Sequence, residues 1–280
     1  MTTEHTETKP MTTAEHLDEV LASYDESANP RLVEIMRAAT RHLHALVEEV
    51  GLTREEWFEG IRFMTAVGQK CDDVRQEFIL LSDTLGVSML VEMINQQGAA
   101  GATEPTVFGP FHFDGAVERE LGSTIIDDPA DEGESMVISG TVSSLDGEPI
   151  AGAIVDVWQT AANGFYSMQE PEAQNLMNAR GVFHADDQGR FEFTTVRPVK
   201  YQIPGDGPVG DMLRGSGRHN WRPAHTHFLI SAPGYKDVIT HLFDRDSDYL
   251  DSDAVFGVRP SLIVDMNGGS TSYDFVLEPV

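Results

Sequence analysis

The chain has 280 residues, 40% of them hydrophobic, which is ample for a packed core in one or two domains. Its 46 acidic residues against 19 basic ones give a formal net charge of -27, so the polyanionic backbone of DNA or RNA is repelled and nucleic acid is not an expected partner. The single cysteine, Cys71, forbids an internal disulfide, and no apolar run approaches the roughly 20 residues of a membrane span or a signal-peptide core; the expectation is a soluble cytoplasmic protein.

Residues 1 to about 12 lack a periodic apolar set and read as a frayed tail. From there to about residue 97 the pattern is helical. Leu32, Ile35, Met36, Ala39, Leu43, Leu46 and Val47 recur at helix spacing behind Pro30, a residue suited to a first turn. Thr53 and Glu56 form a capping box ahead of Trp57, Ile61 and Met64, and Val74, Phe78, Leu81, Leu85 and Met89 predict one further helix. Cys71 follows a helical stretch with no base placed beside it, so it reads as a packing or surface thiol.

Gly98 to Pro105 breaks the helical period, which puts a domain boundary near residue 100: a helical unit over 1–100 and a strand-rich unit over 101–280. Met136 to Val142, Asp146-Gly147 and Ala153 to Trp158 read as a hairpin whose turn uses the positive-φ tolerance of Asp-Gly. Asp186 to Gly189 ahead of Phe191, Phe193 and Val196 repeats the logic. Thr226 to Ile230, Val238 to Phe243, Leu262 to Val264 and Tyr273 to Leu277 supply more short strands, and no internal repeat points to a solenoid or propeller. The fold class is therefore α+β, with an antiparallel β-sandwich after the helices.

Four side chains carry the chemistry. His225 and His227, two apart on a predicted strand, project to one face while Thr226 faces the other way. That spacing also fits two ordinary hydrogen-bonded imidazoles. Pro223 fixes the approach to the strand, and Arg222 places a cation beside the pair, which calls for an anion to arrive. Tyr166 and Tyr201 lie just past two successive strand exits. Taken singly each is an amphipathic residue with a packed ring and a wet hydroxyl, but their corresponding positions set them apart from Tyr24 and Tyr249. Phenolates are hard anionic donors and imidazoles suit iron, so two of each fit a ferric ion without a thiolate.

In order along the chain, Val155-Asp156-Val157-Trp158-Gln159, Gly164-Phe165-Tyr166, Pro204-Gly205-Asp206-Gly207-Pro208, Gly217-Arg218-His219, Arg222 to Phe228 and Tyr249 to Phe256 resemble the intradiol ring-cleavage dioxygenases. Gln76 to Leu90 and Thr106 to His112 are most similar to the hydroxyquinol 1,2-dioxygenases of that family. The resemblance implies Fe(III) held by Tyr166, Tyr201, His225 and His227, with Arg222 beside the bound ring. It implies substrate contacts from Leu80, Asp83, Val107, Phe108, Gly109, Pro110, Phe111, Ile203, Pro204 and Val255, and catalytic parts for Arg222 and Tyr201, the tyrosine that gives way to the substrate. Asp83 is the informative contact: a carboxylate facing an apolar pocket needs a partner, and a third ring hydroxyl supplies one. On its own pattern, without the family's, a helix cap or a solvated surface is the favoured reading of Asp83.

The implied reaction is O2-dependent cleavage of hydroxyquinol (1,2,4-trihydroxybenzene) to 3-hydroxy-cis,cis-muconate and maleylacetate. Catechol or chlorocatechol 1,2-dioxygenase is the alternative. Many catechol-cleaving relatives carry Gln where this chain has His241, so no role transfers to that residue. By analogy with relatives, the helical part pairs two copies of the chain and encloses a phospholipid. A different class also fits part of the pattern: Gly140 to Val142, Asp146 to Ala153 and Asp187 to Phe191 resemble small non-catalytic β-sandwich binding modules, which hold no iron.

Overall fold

The computed structural model describes residues 10–25, 27–72, 75–96 and 98–280. Most of the expected tail, and Val74, lie outside them. Two compact units follow one another, Met1–Thr65 and Ala66–Val280, while the change from helix to strand comes later, between Asn95 and Ser135.

The first three helices have well-made ends. Thr12 and Glu15 form a reciprocal capping box at the start of α1 (Thr13–Ala22). Asn29 accepts from the Leu32 amide and Pro30 takes the first turn of α2 (Pro30–Val50), which Gly51 closes in the left-handed conformation. The expected Thr53–Glu56 box opens α3 (Arg54–Lys70), with the Glu56 amide donating to Thr53 Oγ1 at 3.2 Å and the Thr53 amide donating back to the Glu56 carboxylate at 2.9 Å.

In the second unit the single helix expected around Phe78 to Met89 is two, α4 (Glu77–Thr84) and α5 (Val87–Asn95), parted at Gly86 with φ +72°. Leu80 is buried on α4, whereas Val87, on α5, is exposed. The strands follow: β1 (Ser135–Ser144), β2 (Ile154–Trp158), β3 (Arg180–His184), β4 (Arg190–Val196) and β5 (Tyr201–Gln202), then a short α6 (Pro208–Gly215), β6 (Trp221–Arg222), β7 (His225–Ser231), β8 (Val238–Asp244), β9 (Ile263–Val264), β10 (Ser270–Ser272) and β11 (Phe275–Leu277).

Two sheets enclose the core. In one, β1 pairs antiparallel with β4 and parallel with β10 and β11; in the other the order is β3-β2-β7-β8-β9, antiparallel except for β8 with β9. The Asp-Gly turn is local, with Ser143 bridging to Pro149, but β2 does not return onto β1: it crosses to the second sheet, and the turn at Gly189 crosses back. Gly189 has φ +69°, and a Cβ there would lie 2.4 Å from the Val142 carbonyl, so the crossing requires glycine. Phe183 of β3 stacks on Phe193 of β4 at 5.2 Å across the sandwich, within a core that includes Val155, Phe191, Phe228, Leu242 and Phe275.

The registers set out the site. Trp158, His227 and His241 stand opposite one another on β2, β7 and β8, and Tyr201 stands opposite Arg222 in the two-stranded β5-β6 ribbon. Gly164, at φ +85°, turns the chain after β2 and delivers Tyr166 to the same place.

Candidate metal centre

The four expected donors converge. Tyr166 Oη lies 2.9 Å from His227 Nε2 and 3.3 Å from Tyr201 Oη, and His225 Nε2 lies 3.2 Å from His227 Nε2. Tyr166 is fully buried, the two histidines are each 2% exposed and Tyr201 is 6% exposed. As the alternating pleat requires, Thr226 turns away and donates its hydroxyl to Gln159 Oε1 at 2.9 Å.

The donor chemistry fits a cation. His225 donates Nδ1–H to the Pro223 carbonyl at 2.7 Å, so its Nε2 carries a lone pair toward His227. Burial pushes both imidazoles well below their usual pKa; Arg222 adds to this at His225, and His225 and then Arg222 add to it at His227. Protonation therefore does not separate the facing nitrogens. Burial, reinforced by Tyr201, also pushes the Tyr166 phenol well above its usual range, against the pull of Arg222 and Arg180. Neutral imidazoles facing each other and a buried Tyr166 phenol that resists ionisation are relieved together by one metal ion, and hard oxygen with imidazole nitrogen suits iron.

Arg222 sits where a cation beside the centre was expected. Its Nη1 reaches Tyr201 Oη at 3.3 Å and His225 Nε2 at 3.2 Å, and Asp253 grips it from behind at 3.0 and 3.2 Å. Burial opposes the charge, but Asp253 and then Tyr201 outweigh it and hold the guanidinium above its usual value. Asp253 also accepts from the amides of Val255 and Gly257, fixing the loop that carries Val255.

The expected substrate contacts are disposed unevenly. Phe111 stacks on Tyr166 with ring centroids 4.4 Å apart, and an added Cβ at Gly109 would lie 3.3 Å from His227 Cε1. Val107 and Val255 are buried, and Phe108 is partly exposed with its ring against Trp158 and His112. Ile203 and Pro204 line a surface cleft that reaches Tyr201. Asp83 is 5% exposed on α4, with Leu80 buried three residues before it. Burial raises its pKa, offset in part by Ser88 and by the charge of Arg222. Pro110 is partly buried.

Three participants escaped sequence reasoning or were left without a role. His241 is fully buried 4.0 Å from the His227 ring, and its ligand atom lies within 4.8 Å of those of His225 and His227. Thr106 Oγ1 binds its Nδ1, while its Nε2 has no partner among the described residues. Asp253 sat inside a recognised run, and a buried arginine demands a carboxylate, so its part could have been found. Trp158 stacks on His227 at 4.8 Å, a contact that follows from register alone.

Against known proteins, residues 107–279 match the family model described as Dioxygenase, and residues 29–103 match Catechol dioxygenase N terminus. The chain is 49% identical to a 6-chlorohydroxyquinol 1,2-dioxygenase of Cupriavidus pinatubonensis, over 93% of this chain and 95% of that one. It is 49% identical to a hydroxyquinol 1,2-dioxygenase of a Rhizobium species, over 88% and 83%. The solved hydroxyquinol 1,2-dioxygenase of Pseudomonas putida DLL-E4 superposes with a TM-score of 0.90 at 50% identity, over 96% of this chain and 99% of that one.

Proposed function

This chain belongs to the intradiol ring-cleavage dioxygenase family, and on that footing we propose that it cleaves hydroxyquinol with O2, giving 3-hydroxy-cis,cis-muconate, which tautomerises to maleylacetate. The observation that carries the reading is the convergence of Tyr166, Tyr201, His225 and His227 within 2.9 to 3.3 Å contacts beside an arginine held by Asp253. Tyr166, Tyr201, His225 and His227 would hold Fe(III), and the ion would supply the withdrawal of electron density that makes an aromatic diol reactive to O2 without a reduced cofactor.

The residues divide the remaining work. Tyr201, on the two-residue β5 at the cleft, gives up its place to the substrate and takes a proton from one of the incoming hydroxyls. Tyr166, fully buried beneath Phe111, stays. Arg222 is held in place before the substrate arrives and stabilises negative charge developing on the ring, an effect worth several kcal/mol in a dry site. Val107, Phe108, Phe111 and Val255 keep water out. Asp83 accepts the third hydroxyl, and Leu80, Gly109, Pro110, Ile203 and Pro204 shape the wall.

Preference for the triol over catechol is supported by the relatives: those at 49% identity carry hydroxyquinol names, whereas the catechol 1,2-dioxygenase of Candida albicans is 34% identical. Steady-state oxygen uptake with each substrate decides it. A higher kcat/KM for 1,2,4-trihydroxybenzene is expected; uptake with catechol alone would move the assignment to the alternative, and none with either would end it.

The functional division near residue 100 is supported by the two family models, which end at 103 and begin at 107. Pairing of two copies through the helical segment, around a phospholipid, is supported by exposed Leu32, Leu43, Leu46, Trp57 and Ile61; sedimentation showing one chain per particle at micromolar concentration would reject it. No helix among the described residues is long and apolar enough to cross a membrane. A cytoplasmic location is part of the proposal, and the single unpaired Cys71 agrees with it.

A further inference from the structure

A second buried guanidinium lies beside the site with no carboxylate to answer it. Arg180, the first residue of β3, is 2% exposed. Its Nη1 donates to the Phe111 carbonyl at 2.7 Å and its Nε to Ser167 Oγ at 3.2 Å, while Nη2 is buried without a partner. Among the described residues it makes no ion pair. The carboxylate whose charge it feels, Asp156, is taken by His112 at 2.8 Å. A buried cation without an anion is expensive, and an anion that appears in the working protein would offset that cost.

The groups Arg180 grips bracket one side chain. Ser167 follows Tyr166 in the chain, and Phe111 stacks on the Tyr166 ring at 4.4 Å. We propose that Arg180 is the standing countercharge of the Tyr166 phenolate and, through the Phe111 carbonyl, ties that ligand to the 107–111 wall. Arg180 is thus a positioning residue for Tyr166, and it differs from Arg222, whose charge is already matched by Asp253.

This inference rests on Tyr166 being an iron ligand, so the test carries both questions. Arg180→Gln, Arg180→Lys and Tyr166→Phe are purified with iron, checked for folding by thermal melting, and compared with the parent by visible absorption and by iron retention against a chelator. Loss of that buried charge is expected to lower iron affinity in Arg180→Gln by roughly tenfold or more. It should also move the tyrosinate-to-iron absorption to longer wavelength, because a phenolate without its cation yields an electron more readily. Arg180→Lys, which keeps the charge, should hold the band near its parental position. A folded Arg180→Gln with parental band and parental iron retention would overturn the proposal, as would a folded Arg180→Lys that loses the band. If Arg180→Gln does not fold, the Lys variant alone decides. Unchanged absorption in Tyr166→Phe would instead remove Tyr166 from the iron and fell the ligand assignment itself.

Discussion

Replacing Asp253 by Asn tests whether the arginine at the centre is held by charge or only by shape. The side chains of Arg222 and Asp253 are 3% and 1% exposed and meet through two contacts at 3.0 and 3.2 Å. Unit charges about 4 Å apart at an effective dielectric near 20 attract by about 4 kcal/mol. Removing one partner of such a buried pair typically costs about 3–5 kcal/mol, because the other charge is stranded. Asn is nearly isosteric and still offers one acceptor, so the loss expected in the iron-free protein is toward the lower end, about 3 kcal/mol. Urea unfolding followed by circular dichroism measures it, and Arg222→Met combined with Asp253→Asn should recover part of the loss, since no charge is then stranded. Iron-loaded Asp253→Asn should also lose kcat more than it gains KM, because Arg222 acts on charge that develops during reaction. A stability change below about 1 kcal/mol would refute the reasoning and leave Asp253 as a loop tie for Val255 and Gly257.

Other consequences follow from particular contacts. Asp83→Ala should lower the ratio of kcat/KM for 1,2,4-trihydroxybenzene over catechol by roughly tenfold or more, the worth of a hydrogen bond to a charged group; an unchanged ratio in oxygen-uptake assays removes Asp83 from substrate recognition. Gly109 has φ +74° and an added Cβ would sit 3.3 Å from His227 Cε1. Gly109→Ala should therefore cost about 1–2 kcal/mol of backbone strain and loosen iron, which a thermal melt and a metal assay would register; a parental melt with full iron contradicts this. Asp206, bound to Arg75 and Lys70, is lowered to about 2 by those two contacts. Its folded pKa lies below the ordinary 3.8, so its contribution is complete above about pH 4 and fades as pH falls toward 2. Asp206→Asn should flatten that part of the acid-unfolding curve, the difference shrinking in high salt because the side chain is largely exposed; an unchanged curve rejects the assignment.

What was legible in the chain was local. Asn29, Pro30, Thr53 and Glu56 announce helix starts through their own hydrogen bonds, and the i, i+2 spacing of His225 and His227 is a property of one strand. The break between α4 and α5 was missed because Leu81, Leu85 and Met89 keep helical spacing through Gly86, whose left-handed backbone the apolar period does not reveal. The Asp146-Gly147 turn was visible, but its strands join different sheets, since pairing partners are chosen by distant β4 and β7 rather than by the turn. The parallel pairing of β10 and β11 with β1 is likewise non-local. At the centre, residue types together with the family resemblance pointed to the four expected donors, while the contacts of Thr106 with His241 and of Arg180 around Tyr166 emerge only when β2, β3, β7 and β8 are laid side by side.

Diffraction data collected from iron-loaded crystals at the iron absorption edge locate the metal without reference to activity. A single strong anomalous peak should lie within bonding distance of Tyr166 Oη, Tyr201 Oη, His225 Nε2 and His227 Nε2, with Arg222 beside it and outside its coordination. A peak bound by the three imidazoles without either phenol, or one elsewhere in the chain, would contradict the two-tyrosine, two-histidine centre on which the chemistry rests.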